Sequence, residues 1–417
     1  MTSPILFFRA AFALAAGLIP SVGLAEPACG RPTTPIATIQ GHGPASPRVG
    51  ETVTVEGILT LDSRIEGGFG GFYLQQADSE ADQDPQTSEA LFVYTRRKAG
   101  QPGRRLRVTG TVKEFHGLTE LVSIQGVTDC GPAPIPEPIL VTLPWSQPPE
   151  QLENMRVRFA EPLTIVDNDN LARYGELALA AADQIQPTEL RPPGPAAQAL
   201  SVEQQRQRVR LDDNRSQRNP RPVPWPPEGL AAATTLRAGD RVSSLEGVLD
   251  FRFDAWRLQP ASPPVFVNAN PRPPAPTRPP EASLRIMALN LANYFNGDGR
   301  GEGFPTPRGA DTDAGFRRQQ ARLVNALLAP DPDILAVTEL ENDGYGPDSA
   351  IASLARALGE QWQYVRTPEA DGNDAIRTAL LFRADRVNAL CTPRRQTPGP
   401  IQSAGRPPQS HAVRPSG

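Results

Sequence analysis

Apolar and polar positions alternate early in the chain. In "GETVTVEGILTLD" (50–62) Val53, Val55 and Leu59 share a face, and in "GRRLRVTGTVKEF" (103–115) Leu106, Val108 and Val112 do the same. A period of two belongs to a half-buried strand. "ENMRVRFAEPLTIVD" (153–167) and "GDRVSSLEGVLDF" (239–251) repeat the theme, the first of them without the internal glycine. A glycine inside a strand marks a bulge or the sharp bend of a small barrel. "GFGGFYLQQ" (68–76) and "ALFVYTRR" (90–97) add strands between the first two repeats.

Five or six short strands with a bent first one predict a small Greek-key barrel of the OB type over residues 26–131. Such barrels bind single-stranded nucleic acid through aromatic side chains and a basic groove. Phe72, Tyr73, Phe92 and Tyr94 are the candidates, with Arg96, Arg97, Arg104, Arg105 and Arg107 nearby. The competing reading makes the aromatics core and the arginines a solvated rim. Residues 138–270 predict a second β-rich module interrupted by a polar stretch at 201–227, in which "QQRQRVR" suits a short helix and the rest a solvated surface.

A proline-rich linker at 271–282 then precedes a change of period. "LRIMALN" (284–290) reads as a strand, 311–330 as a helix with Phe316, Leu323, Val324 and Leu327 on one face, and "DILAVT" (333–338) as a strand. A second helix (348–359) and strands at 362–365 and 376–383 follow. A strand–helix–strand unit crosses over right-handedly, so the strands at 284–289 and 334–338 are expected to be parallel. Asn290 and Glu339 are then the first residues beyond the two carboxyl ends, where open α/β sheets place ligands. Two hard oxygen donors on one edge suit Mg²⁺, which keeps most of its waters and takes one or two protein carboxylates.

Composition narrows the setting. A net charge of −4 over 417 residues excludes a generally basic nucleic-acid coat while leaving room for a local groove. Residues 1–25 have the layout of a secretory signal peptide: Arg9, the apolar run "AAFALAAGLI" (10–19), and the small-residue site Gly23-Leu24-Ala25. The run is too short to span a bilayer, and no later segment is long enough. The mature protein is therefore expected from Glu26 onward, secreted to the extracellular space or the periplasm. Export lets Cys29 and Cys130, which bracket the first block of strands, form a disulfide, and leaves Cys391 unpaired.

Several motifs occurring in order carry a resemblance. "ALNLANYFN" (288–296), "RGADTDAGFRRQQARLVNALLAPDPDILAVTELENDG" (308–344), "NDAIRTALLFR" (373–383) and "SAGRPP" (403–408) resemble the endonuclease/exonuclease/phosphatase family. More narrowly, with "IQGHGPASPRVGETVTVEGILT" (39–60), "GFYLQQ" (71–76) and "RYGELALAAADQIQPTEL" (173–190), the chain is similar to large secreted bacterial nucleases in which an OB-like module precedes that domain. The resemblance implies a mixed fold: the two β modules, then an incomplete α/β domain of the four-layer sandwich type over 283–408, and a tail at 409–417. It implies that Asn290 and Glu339 position a catalytic Mg²⁺ (Mn²⁺ and Ca²⁺ being alternatives), that Arg406 contacts a phosphate backbone, and that Asp374 and Arg383 line the cleft. The substrate implied is DNA, with RNA as the alternative. Glu341 and Asp343 are read as caps of the following loop, and "GDGRGEG" (297–303), which lacks the lysine and Ser/Thr of a P-loop, as a mobile insertion.

The chain departs from the family after "GRPP". An Asn-His strand motif, a Gly-Asp-x-Asn motif and a Ser-Asp-His motif are missing, and His411 stands in a tail without strand or helix context. The expectation is a chain that lacks the later half of its catalytic domain and is catalytically incomplete. Two alternatives stay open: phosphomonoester or phospholipid hydrolysis on the same scaffold, and a secreted OB-type binding module without catalysis.

Overall fold

The structure, a computed structural model, describes residues 29–231, 234–368, 372–395 and 408–416. The expected signal peptide and Arg406 lie outside the described residues. The chain divides after Pro271 into two compact units. It is strand-rich, and no helix among the described residues is long and apolar enough to cross a membrane.

The first unit begins with a short helix, α1 (Ile36–Gln40), and five strands: β1 (Thr52–Asp62), β2 (Gly71–Gln75), β3 (Ala90–Tyr94), β4 (Arg104–Phe115) and β5 (Leu118–Pro132). They close into a ring in the order β1-β2-β3-β5-β4, antiparallel throughout except for the parallel pair β3–β5. The amino half of β1 pairs with β4 and its carboxyl half with β2, so this one strand serves two sides of the ring. Gly57 sits where the strand changes partner: a Cβ there would stand 2.9 Å from the Gln75 carbonyl oxygen. Val53, Val55, Leu59, Leu106, Val108 and Val112 fill the interior, as their alternation requires. A disulfide joins Cys29 to Cys130 across 101 positions, with an S–S distance of 2.01 Å.

A nine-stranded sheet follows. Its strands are β6 (Ile139–Val141), β7 (Arg156–Phe159), β8 (Leu163–Asp167), β9 (Leu177–Ala180), β10 (Val209–Leu211), β11 (Arg241–Ser243), β12 (Glu246–Arg252), β13 (Ala255–Pro260) and β14 (Val265–Val267). Helices α2 (Leu171–Tyr174), α3 (Pro187–Leu190) and α4 (Pro195–Arg206) lie in its connections. The strand order is β14-β11-β8-β9-β10-β13-β12-β7-β6. Its central run, β8-β9-β10-β13-β12-β7, repeats the order of the first ring. The pair β10–β13 is parallel where β3–β5 is, and β7 with β8 are two halves of one segment, separated only by Ala160, Glu161 and Pro162. Pro162 cannot donate to a ladder, which accounts for the interruption. The four alternating segments thus occupy matched places: 50–62 and 153–167 supply the first strand of each repeat, and 103–115 and 239–251 the fourth.

The contacts between the two sheets and the fate of the polar stretch refine the expectations. The first ring and the nine-stranded sheet, the two β modules expected, belong to one compact unit. Tyr73, Phe92, Leu118 and Val248 make a shared buried cluster, and the Tyr73 hydroxyl donates to Asp250 at 2.5 Å. The polar stretch at 201–227 is also more than solvated surface. It ends α4 and then contributes β10 to the middle of the sheet, with Val209 and Leu211 fully buried.

The second unit holds β15 (Ile286–Tyr294), α5 (Asp313–Leu328), β16 (Ile334–Glu341), α6 (Ala350–Leu358), β17 (Trp362–Tyr364) and β18 (Ile376–Arg383). Thr312 and Ser349 cap the two helices, their side chains accepting from the Gly315 and Ala352 N–H groups. The sheet order is β15-β16-β18-β17, with β15 and β16 parallel and β18 antiparallel to β16. Both helices contribute to the core on one face, where Phe316, Leu327, Ile351, Leu354 and Leu358 meet Leu335, Val337, Ala379 and Leu381. The short strands β19 (Val387–Ala389), β20 (Arg394–Arg395), β21 (Gln409–Ser410) and β22 (Val413–Pro415) complete the unit. The expected unstructured tail therefore pairs, β22 with β19 and β21 with β20. The pairing brings Val413 into an apolar cluster with Val387, Ile334 and Phe382.

Candidate metal edge

Asn290 and Thr338 are direct partners in the parallel pair β15–β16, so Asn290 and Glu339 reach the same edge of the sheet. Neither strand ends there. Each continues through a bulge: the register slips between Asn290 and Tyr294 in β15, and between Val337 and Leu340 where β16 faces β18. Ala292, Asn293 and Glu339 take left-handed backbone conformations, with φ of 53°, 57° and 58°. A bulge re-aims a side chain, and a non-glycine residue held left-handed persists only where its surroundings over-determine it.

Here the surroundings are hydrogen bonds. Glu339 Oε2 accepts from the Asn293 N–H at 3.1 Å, and Asn290 Oδ1 accepts from the Ala292 N–H at 2.8 Å. Gln319 of α5 donates its side-chain amide to the Leu291 and Ala292 carbonyls at 3.1 and 2.9 Å, clamping the bulge from the helix side. One oxygen of Glu339 is thereby fixed, while Oε1 has no partner among the described residues. The other two carboxylates of the cluster also hold backbone. Glu341 accepts from the Asn296 N–H at 3.1 Å, and Asp343 from the Ala350 N–H, the first residue of α6, at 2.8 Å. Burial raises the Glu341 carboxyl from its ordinary range to about 7, with the Asp343 charge adding to the push.

A carboxylate and an amide oxygen on one edge of the sheet are hard donors of the kind Mg²⁺ takes, with its remaining positions hydrated. Among the described residues no group of three His, Cys, Asp or Glu side chains could enclose an ion. The fit is therefore to an open edge and not to a closed cage. Next to Asn290, a depression of about 440 Å³ is lined by Ala288, Thr338, Thr378 and, from the returning tail, Pro408 and Gln409.

The remaining expected residues separate. Asp374 stands near the carboxyl edge of β16: its carbonyl accepts from the Asn342 side chain at 2.9 Å, and its carboxylate lies 3.5 Å from Arg308. Arg383 does not line that edge. Because β18 runs antiparallel, Phe382 pairs with Ile334 and Arg383 falls at the opposite end, pairing with Asp331 at 3.2 Å and Asp385 at 2.6 Å. Ile334 and Glu339 are five positions apart, roughly 17 Å along a strand. The 297–303 loop is fastened rather than loose, with Asp298 accepting from the Arg300 and Glu302 N–H groups and Arg300 pairing with Asp348.

No histidine is directed at the metal edge among the described contacts. His42 pairs with Asp84, His116 packs on Phe115, and His411 hydrogen-bonds the Cys391 carbonyl at 2.6 Å. In the first ring, Phe72, Tyr73 and Phe92 are fully buried, while Arg104, Arg105 and Arg107 pair with Asp129, Glu56 and Glu80. The core-and-rim alternative describes these residues, and of the four candidate aromatics only Tyr94 is exposed.

Two residues were not singled out from the sequence. Gln319 gave no signal, being one of several polar positions on a helix. Arg377 did: a charge at a buried register of β18, fully enclosed, it donates to the Gly344 carbonyl at 2.7 Å with its guanidinium 4.4 Å from the Tyr345 ring. A scan of the chain against protein-family models finds no match, and a search of curated proteins finds none.

Proposed function

We propose that this chain is a secreted nuclease scaffold whose second unit holds Mg²⁺ at Glu339 and Asn290 to act on the phosphodiester backbone of DNA. The observation that carries the reading is the Glu339 carboxylate, set on a bulge and bonded through one oxygen to the Asn293 N–H, at the same carboxyl edge of two parallel strands as Asn290. The motif likeness to the endonuclease/exonuclease/phosphatase family and the five-stranded ring of OB order support it. A bound Mg²⁺ would neutralise charge building on a phosphoryl oxygen. The chain's own groups orient: Asn293 and Gln319 hold the ligand carboxylate and its bulge, and Asp343 ties the following loop to α6.

Hydrolysis also needs a group to take a proton from the attacking water, and none of the three histidines is directed there. The chain is therefore expected to bind Mg²⁺ without cutting DNA at a measurable rate. Two measurements test this. In calorimetric titration Glu339→Gln should lose Mg²⁺ binding while Glu341→Gln keeps it, and equal losses would show that the wrong carboxylate has been chosen. Incubated with plasmid DNA and Mg²⁺, the chain should leave it intact; cleavage abolished by Glu339→Gln would overturn the reading of incompleteness.

A further inference from the structure

The outer face of the first ring is closed, because Tyr73 and Phe92 from β2 and β3 are packed with Val248 of β12. The matching face of the repeat, across β10 and the hairpin β12–β13, is open. Two adjoining depressions of about 440 and 500 Å³ lie there and share Arg210, Asp254 and Ala255. At one end stand Arg206 of α4 and Trp256, and at the other Tyr174 and Arg215.

Three features distinguish this groove. First, Phe253 and Asp254 form a two-residue hairpin tip with φ of 53° and 56°, a place for Asn-Gly and a strained one for a bulky side chain. Second, Phe253 is 63% exposed, and the Arg257 guanidinium stands 5.0 Å from its ring centroid. Third, Arg206 and Arg210 have no carboxylate partner among the described residues, while Arg208 between them donates to the Gln184 side chain and feels the Asp167 charge. The acidic groups are fewer. Asp254 is exposed, while Glu176 is engaged by Arg257 at 2.7 Å. The exposed Phe253 ring and the half-buried Trp256, beside two arginines that hold no carboxylate among the described residues, offer surfaces for bases and for phosphates.

We propose that the groove across β10 and the β12–β13 hairpin binds single-stranded nucleic acid, with bases stacked on Phe253 and Trp256 and phosphates held by Arg206 and Arg210. The inference stands apart from the metal edge, since the groove belongs wholly to the first unit. The test is fluorescence anisotropy of a labelled oligothymidylate of about fifteen nucleotides with the full chain in EDTA, so that loss of Mg²⁺ chemistry cannot alter the result.

Phe253→Asn suits the left-handed tip and should leave the melting temperature equal or higher, yet weaken binding about tenfold. Arg210→Gln should weaken binding and lower the slope of log K against log salt by about 0.7. Oligothymidylate binding that neither variant changes would overturn the proposal, as would no binding by the unaltered chain at low salt. Equal binding of a duplex or a sulfated polysaccharide, lost in the same variants, would assign the groove to polyanions in general and also overturn it.

Discussion

Glu339 is both a proposed ligand and a strained residue, and three substitutions separate the two roles. Its left-handed backbone costs a non-glycine residue roughly 1 kcal/mol. Its half-buried carboxylate bond to the Asn293 N–H is charge-assisted and contributes about 2 kcal/mol. Glu339→Ala loses the bond and keeps the strain, so the second unit should lose about 2 kcal/mol. Glu339→Gly loses the bond but relieves the strain, less what glycine's extra unfolded-state freedom takes back, leaving it roughly 0.5 kcal/mol better than alanine. Glu339→Gln keeps a neutral acceptor of about half the strength and should lose about 1 kcal/mol.

Because the chain has two units, one global unfolding curve would blur these steps. Native-state hydrogen exchange of peptides spanning 286–294 and 334–341 resolves them locally. Alanine as stable as glycine would refute the strain argument. Glutamine as damaging as alanine would show that the Asn293 contact does not anchor the bulge.

Three further outcomes are expected. Replacing Cys29 and Cys130 together by serine should lower the stability of the first unit by up to about 4.7 kcal/mol, the chain-entropy value for a loop of its size, and leave the second unchanged; a urea titration showing a loss under about 1 kcal/mol would contradict this. Burial holds the fully enclosed Glu153 carboxyl well above its ordinary range, helped by the charge of Glu150, itself raised to about 7 by burial. A raised folded-state pKa gives stability that is complete below the unfolded value of 4.5 and is lost as the pH climbs from there through the raised value. Glu153→Gln should therefore flatten the fall of melting temperature on the alkaline side, and a variant that melts lower than the parent at pH 8 would refute the assignment. Arg383→Ala breaks only rim pairs with Asp331 and Asp385, so it should cost under about 1 kcal/mol and leave the Mg²⁺ titration unchanged.

The strands that were legible are those whose side chains alternate over many residues. β1 and β4 are long, half-buried and bordered by glycine, and β15 with β16 announce themselves by the helix between them. β10 was hidden because three residues carry no period, and its partners β9 and β13 come from distant parts of the chain. Arg383 was misplaced because a strand pattern has no direction; only the pairing of Ile334 with Phe382 fixes it. The bulge at Glu339 was invisible for a different reason. Glycine or asparagine would have advertised a left-handed residue, but glutamate does not. The tail shows no strand period of its own, and its pairing depends on Val413 meeting an apolar cluster of Val387, Ile334 and Phe382 from distant parts of the chain.

The Cys29–Cys130 bond makes the first ring a covalent circle. A single backbone cut within that circle opens a loop without releasing a fragment. The connection from β2 to β3 is the natural place for one, since Asp78, Ser79, Glu80, Asp82, Gln83, Pro85 and Gln86 are all exposed. A molecule nicked there would keep both pieces, its strand order and its full mass on a non-reducing gel. Added reductant would separate them, so damage in this loop stays silent until the thiols are freed.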